Sequence, residues 1–366
     1  MRTRGGALKT CVLAAVVLLV ACASAAAQTA PAAPRWEIDA HGGFSRVRLP
    51  TGGSVAMPEP GPPIVTSSPI FPSRRVPSWF FGDGADLLNG VNTGFGLAAR
   101  IAPLDAAFAS LGLEATSDAA FGLRLSRELT PRYAVELSLD VVPGSTQLDG
   151  GLVAALDASR ASFETAFGAL LASGPFAEPV VTAALTTPRG GVGRDVLATV
   201  SAVYRWPARG SFAPYVVLGG GLWAHAGGMP SASLEGAYRL AIAGIVPIDE
   251  RDRVALRFVQ DPAFAGVAGG GVRRSMSDRW GFRIDARVFV ARSSQRLLLD
   301  ADPSIAAGTP ADFIESFTSP SIQFSNSPST GRESSLGGPP IQGFEAFTGS
   351  GLQTRFLVTI GVFARF

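Results

Sequence analysis

The sequence predicts an all-β chain, a closed antiparallel barrel of ten strands that crosses a membrane. Eight strands with an extracellular β-hairpin is the alternative. Three observations carry this. The 366 residues are 47% hydrophobic and only 16% charged, where soluble domains hold roughly 25% charge, and the mean hydropathy is +0.27 with 43 glycines. Beyond the first 27 residues no apolar run reaches the length of a spanning helix. What recurs instead is period-two alternation in segments of about ten residues bounded by turn chemistry.

The amino-terminal segment reads as an export signal. Arg2, Arg4 and Lys9 precede an apolar run from Thr10 to Ala21 that is too short to span, and Ala25 and Ala27 form a small-x-small cleavage site before Gln28. Residues 1–27 are thus expected to be a signal peptide and 28–34 a short periplasmic lead-in to a barrel over 35–366. Leu19-Val20-Ala21-Cys22 offers a rival, since it resembles the lipobox of bacterial lipoproteins, in which the Cys is lipidated. Both cysteines, Cys11 and Cys22, lie in the leader, so cleavage after Ala27 leaves no thiol for disulfides, redox motifs or Cys-ligated zinc. Loss of Arg2, Arg4 and Lys9 also leaves 28 basic against 29 acidic residues. The basic pI of about 8.8 therefore does not imply a nucleic-acid partner.

The ten strands run from about 35 to 48, 117 to 129, 132 to 142, 194 to 206, 212 to 224, 233 to 246, 252 to 260, 264 to 277, 280 to 292 and 351 to 366. The clearest pair flanks Thr130-Pro131-Arg132: Phe121, Leu123 and Leu125 share one face with Val135, Leu137, Leu139 and Val141. The opposite face carries Arg124, Ser126, Glu128, Glu136, Ser138 and Asp140. One apolar and one charged face suit a strand between lipid and a polar lumen. In the alternative with eight strands, Ser233 to Gln260 projects from an outer loop as a hairpin.

The last strand, Thr354 to Phe366, alternates Phe356, Val358, Ile360 and Val362 down to a terminal aromatic. Here the chain resembles bacterial outer-membrane β-barrels, and within them the small OmpA-type group. The resemblance implies that Thr359, Gly361, Ala364 and Phe366 form the signal read by the barrel-insertion machinery. It also implies residence in the outer membrane of a Gram-negative bacterium, with outer-membrane lipid around the barrel. Turns at Thr130 to Arg132, Pro207 to Gly210, Ile248 to Asp252 and Ser277 to Arg279 then face the periplasm. Long loops at about 50–118, 142–194 and 293–350 face outward. The second loop holds a helix from about Gly151 to Ser173, with Leu152, Leu156, Phe163, Phe167 and Leu170 on one stripe. A shorter helix is expected near Pro310 to Phe317. The helix and Trp79-Phe80-Phe81 are read as a hydrophobic cap over the barrel mouth.

Little in the sequence points to catalysis. Asp39-x-His41 places an acid and an imidazole on one inward face near mid-barrel, read as an interior hydrogen-bonded pair. His225 falls near the outer rim with no acid or Ser at motif spacing, and no phosphate loop, metal cluster or cofactor motif is present. The inward charges say more. Arg124, Glu136, Asp140, Arg239, Arg257, Arg283, Asp285, Arg287 and Arg355 are expected to form a mixed-sign network filling a narrow lumen, since a wide aqueous channel needs 16 to 18 strands. The expected function is non-enzymatic: a structural or surface-binding barrel whose outer loops meet an extracellular ligand or partner. A barrel enzyme acting on lipid or peptide, or a narrow solute channel, is the alternative.

Overall fold

The computed structural model describes residues 35–58, 63–64, 73–144, 146–174, 176–187, 193–207, 212–242, 246–305, 324–325, 333–336 and 340–366. The leader, with Ala25, Ala27 and Gln28, and the helix expected near 310–317 lie outside them.

Eleven long strands and two helices make the frame. In chain order they are β1 (Trp36–Arg48), α1 (Gly82–Gly94), β2 (Ser117–Glu128), β3 (Tyr133–Pro143), α2 (Gly150–Ser173), β4 (Phe176–Thr186) and β5 (Arg194–Arg205). They continue as β6 (Phe212–Ala226), β7 (Ser231–Ile242), β8 (Val246–Gln260), β9 (Ala263–Ser275), β10 (Trp280–Ile305) and β11 (Ile341–Arg365). Antiparallel pairings run β1–β2–β3–β5–β6–β9–β10–β11 and return from β11 to β1, so each of these eight strands has a hydrogen-bonded neighbour on both sides. The ten-strand expectation is corrected here. Ser231 to Gln260 is not part of the ring, as in the eight-strand alternative.

Local chemistry sets the ring's tight end. The Thr130 hydroxyl accepts from the Arg132 and Tyr133 amides, and the Ser277 hydroxyl does the same for Arg279 and Trp280. Each closes a short hairpin by a side-chain-to-backbone bond. Trp36 and Phe366 exchange backbone bonds at this same end.

At the other end two strands outrun the ring. β10 continues to Ile305 and β11 begins at Ile341, and their extra length pairs through Ser293–Ala301 and Ile341–Gly351. β8 adds to the upper half of β10, β7 to β8, and β4 to β7, so one side of the wall rises as a five-stranded extension. The expected periplasmic turn at Ile248 to Asp252 is instead part of β8 in this extension, and the expected loop over 293–350 starts and ends as wall strand.

The face that looks into the lumen within the ring becomes, above it, the floor of an apolar core. Leu297, Leu299 and Ala301 of β10 join Leu234, Tyr238 and Leu240 of β7 and Val254, Leu256 and Phe258 of β8. The expected α2 stripe, Leu152, Leu156, Phe163, Phe167 and Leu170, is buried against them, together with Trp79, Phe80 and Phe81. Phe80 stacks on Phe163 at 4.8 Å and Phe167 on Tyr238 at 4.5 Å. Asp149 caps α2, accepting from the Gly151 and Leu152 amides at 2.8 and 3.3 Å.

Candidate functional site

Among the described residues the lumen gathers the largest set of buried ionisable groups, and it is built in layers. Burial alternates along β1 on either side of Gly42-Gly43: Glu37, Asp39, His41, Ser45 and Val47 are buried, while Trp36, Ile38, Phe44, Arg46 and Arg48 are exposed. The same parity governs the other ring strands. The apolar outward residues include Phe121, Leu218, Phe264 and Ile360, each more than half exposed.

The middle layer is a charge cluster. Glu136 accepts from Arg283 at 2.9 Å and Arg287 at 2.6 Å, and Asp285 accepts from Arg287 at 2.8 Å and from the Tyr215 hydroxyl at 2.6 Å. Arg124 lies 3.5 Å from Asp285, 3.8 Å from Asp39 and 3.9 Å from Glu136, and donates to the Thr359 hydroxyl at 3.2 Å. His41 completes the layer, its Nδ1 3.0 Å from Asp39 and its Nε2 2.7 Å from Asp140. Both ring nitrogens face carboxylates, an arrangement that the doubly protonated imidazolium satisfies. The four carboxylates Asp39, Glu136, Asp140 and Asp285 are then balanced by three guanidiniums and one imidazolium, and the layer is neutral. Removing water from four charges of each sign is tolerated only with such pairing.

Above it lies an apolar layer to which every ring strand contributes. Its members are Val47, Ala120, Val142, Leu197 and Trp223 from β1, β2, β3, β5 and β6, with Val267, Phe289 and Leu357 from β9, β10 and β11. Arg355 sits over the Trp223 ring at 4.9 Å, pairs with Asp195 and donates to Ser45 at 2.7 Å. Asp195 also holds His225 Nδ1 at 2.9 Å. Below the charge layer, Glu37 meets Arg273 and Arg365, and Arg205 meets Glu128. A cavity between these groups and Glu136 holds about 10 Å³, room for at most one water.

The expected network is thus split by the fold. Arg124, Glu136, Asp140, Arg283, Asp285 and Arg287 come together, and Arg355 stands a layer higher. Arg239 and Arg257 are elsewhere: both lie on the solvent side of the extension, Arg257 in a bidentate pair with Asp300 at 2.6 and 2.9 Å. Sequence reasoning placed them in the lumen because their strands alternate just as ring strands do. It also missed Tyr215 and Asp195, the acid partner of His225, which are far from their partners in sequence and show no local signal.

The four residues of the expected insertion signal divide by parity. Thr359 and Gly361 face the lumen, while Ala364 and Phe366 lie at the tight end, Phe366 largely exposed. Among the described residues no group of His, Cys, Asp and Glu is arranged to hold a metal.

No protein-family model matches the chain, and no curated protein does. The resemblance to the OmpA-type group is therefore not shown. Solved structures give low-identity likenesses. The outer membrane protein OprG from Pseudomonas aeruginosa is 12% identical, with 90% of this chain and 95% of that one covered and a TM-score of 0.35. The Pseudomonas putida toluene transporter TodX is 10% identical over 92% and 90%, with a TM-score of 0.16.

Proposed function

We propose that this protein is an eight-stranded barrel of the Gram-negative outer membrane that acts without catalysis, as a rigid stand for a folded cap exposed at the cell surface. The observation that carries this reading is the behaviour of β10 and β11. Within the ring their outward residues are apolar and their inward residues carry Arg283, Asp285, Arg287 and Arg355, and beyond it the same two strands form the floor of the cap core. An exposed apolar belt around an interior of paired charges is costly in water and favourable in lipid. Tyr133, Tyr204, Trp206, Phe212 and Trp280 cluster outward at the tight end, as an interfacial girdle requires.

The continuous wall ties the cap rigidly to the barrel, which suits presentation of a surface to a ligand or partner outside the cell. Transport is disfavoured by the layered filling of the lumen. Hydrolysis is disfavoured because, among the described residues, neither histidine hydrogen-bonds to a hydroxyl that could serve as nucleophile.

The test has two parts. Membrane-fraction protein should migrate differently before and after boiling, as folded small barrels do, and protease added to intact cells should attack the 50–118 or 293–350 regions while leaving the ring. Replacing His41 and His225 with Ala should leave lipid profiles and peptide hydrolysis unchanged. A single gel mobility, or loss of a hydrolytic activity in the double variant, would overturn the reading.

A further inference from the structure

The structure assigns a binding site for a phosphorylated lipid headgroup to Arg46, Arg48 and Arg292, at the loop-side rim of the barrel's outer wall. It rests on the outer-membrane reading above and goes beyond it by naming the lipid chemistry and the residues.

Three neighbouring strands, β1, β11 and β10, make up this stretch of wall. Arg48 stands opposite Thr354 of β11, which in turn stands opposite Val290 of β10, two residues below Arg292. Arg48 and Arg292 thus lie two strand spacings and two residues apart, about 12 Å between backbones, and Arg46 and Arg292 about 17 Å, so that their long stems can close on one bisphosphorylated headgroup. All three are exposed, and no carboxylate among the described residues pairs with any of them.

Height along the wall makes the cluster specific. Below it, the outward positions of β1 are Trp36, Ile38, Ala40, Gly42 and Phe44, and those of β10 and β11 within the ring are equally free of titratable groups. Above it the wall is charged with both signs. Arg296 is held by Asp261 at 3.0 Å and Glu345 at 2.8 Å, and Arg257 by Asp300. Only between the apolar band and the solvated extension is the wall purely cationic. With a rise of about 3.4 Å per residue and a tilt of about 40°, Arg46 stands about 26 Å above Trp36 and Arg292 about 31 Å above Trp280. A lipid-facing band is about 25 Å tall, so the guanidiniums reach the level of the outer-leaflet headgroups. Unpaired arginines there match phosphate in charge and geometry. Two outward arginines of the opposite rim are engaged differently: Arg127 covers the Trp36 ring and Arg274 the Phe212 ring.

The full chain, folded in detergent, is titrated with bisphosphorylated lipid A and with its dephosphorylated form, and bound lipid is counted by native mass spectrometry. Wild type should retain the bisphosphorylated lipid, and the triple variant R46Q/R48Q/R292Q should weaken that binding about tenfold or more. The opposite-rim variant R127Q/R274Q should match wild type, and excess inorganic phosphate should not displace the lipid. Equal binding of the dephosphorylated lipid by wild type, unchanged binding by the triple variant, or displacement by free phosphate would each overturn the site. Heat-modifiable mobility, recorded on the same samples, separates this from failure of the barrel reading.

Discussion

His41 fits between Asp39 and Asp140 because both cross-strand neighbours are glycine. The register sets it opposite Gly122 of β2 and Gly361 of β11. A Cβ on Gly122 would lie 2.5 Å from His41 Nε2 and 2.6 Å from the Leu139 carbonyl, and one on Gly361 would lie 2.6 Å from Asp39 Oδ2. Gly122→Val should therefore displace the imidazole and lower the temperature at which the gel-mobility shift occurs. Gly42→Ala, one strand position away but facing outward with ordinary contacts of 3.6 Å, should leave it unchanged. A second residue-scale prediction concerns the cap. Asp252 is fully buried, accepts from the Trp79 amide at 2.6 Å and the Ser78 hydroxyl at 3.0 Å, and shares its surroundings with Glu250 and the Tyr238 hydroxyl that Glu250 accepts. Burial pushes its carboxyl up from 3.8 to about 7. A group with a raised folded pKa binds its proton more tightly folded than unfolded, so the stability it contributes is full below about pH 4 and falls by about 1.4 kcal/mol per pH unit until about pH 7. Docking of the Trp79 segment should weaken across that window, read as rising protease cleavage near residues 78–81. Asp252→Asn should flatten the profile.

At the scale of elements, the sequence's alternation was legible but its polarity was not. In β2 and β3 the outward Phe121, Leu123, Leu137 and Leu139 are the apolar set, and the charged residues turn inward. In β7 and β8 the parity inverts: Leu234, Tyr238, Leu256 and Phe258 turn inward to the cap, and Arg239, Arg253 and Arg257 turn out to solvent. A period-two pattern with one apolar face reads identically in both cases, which is why ten strands were counted and two arginines misplaced. The α2 stripe was readable because a helix period is unambiguous, but its partners were not, since Gly236 beneath Phe163 and the Phe80 ring beside it are far away in sequence. Phe163 is where these elements meet. Phe163→Ala should cost about 3 to 5 kcal/mol in the cap. The heat-modified shift of the ring should hardly move, because none of its layers touches that side chain. Limited proteolysis releasing α2 while the ring persists would bear this out, and simultaneous loss of both would contradict a cap with its own core.

For the whole molecule, the consequence is a lumen closed twice in series. The charge layer blocks ions by pairing every fixed charge, and the apolar layer above it blocks water with a side chain from each of the eight ring strands. Two seals of different chemistry cannot be opened by one kind of change. Planar-bilayer recordings of wild type should therefore show no stable, large conductance. Glu136→Ala should weaken the barrel, since Arg283 and Arg287 lose a shared buried acceptor at a cost of about 3 to 5 kcal/mol. Yet it should remain silent, because Leu197, Trp223, Phe289 and Leu357 still fill the section above. Trp223→Ala with Phe289→Ala should likewise remain silent, for the charge layer stays intact below. Only the triple replacement, removing the two aromatic rings and Glu136 together, should give measurable current. A wild-type channel, or conductance from either partial variant, would mean that the two layers do not seal independently.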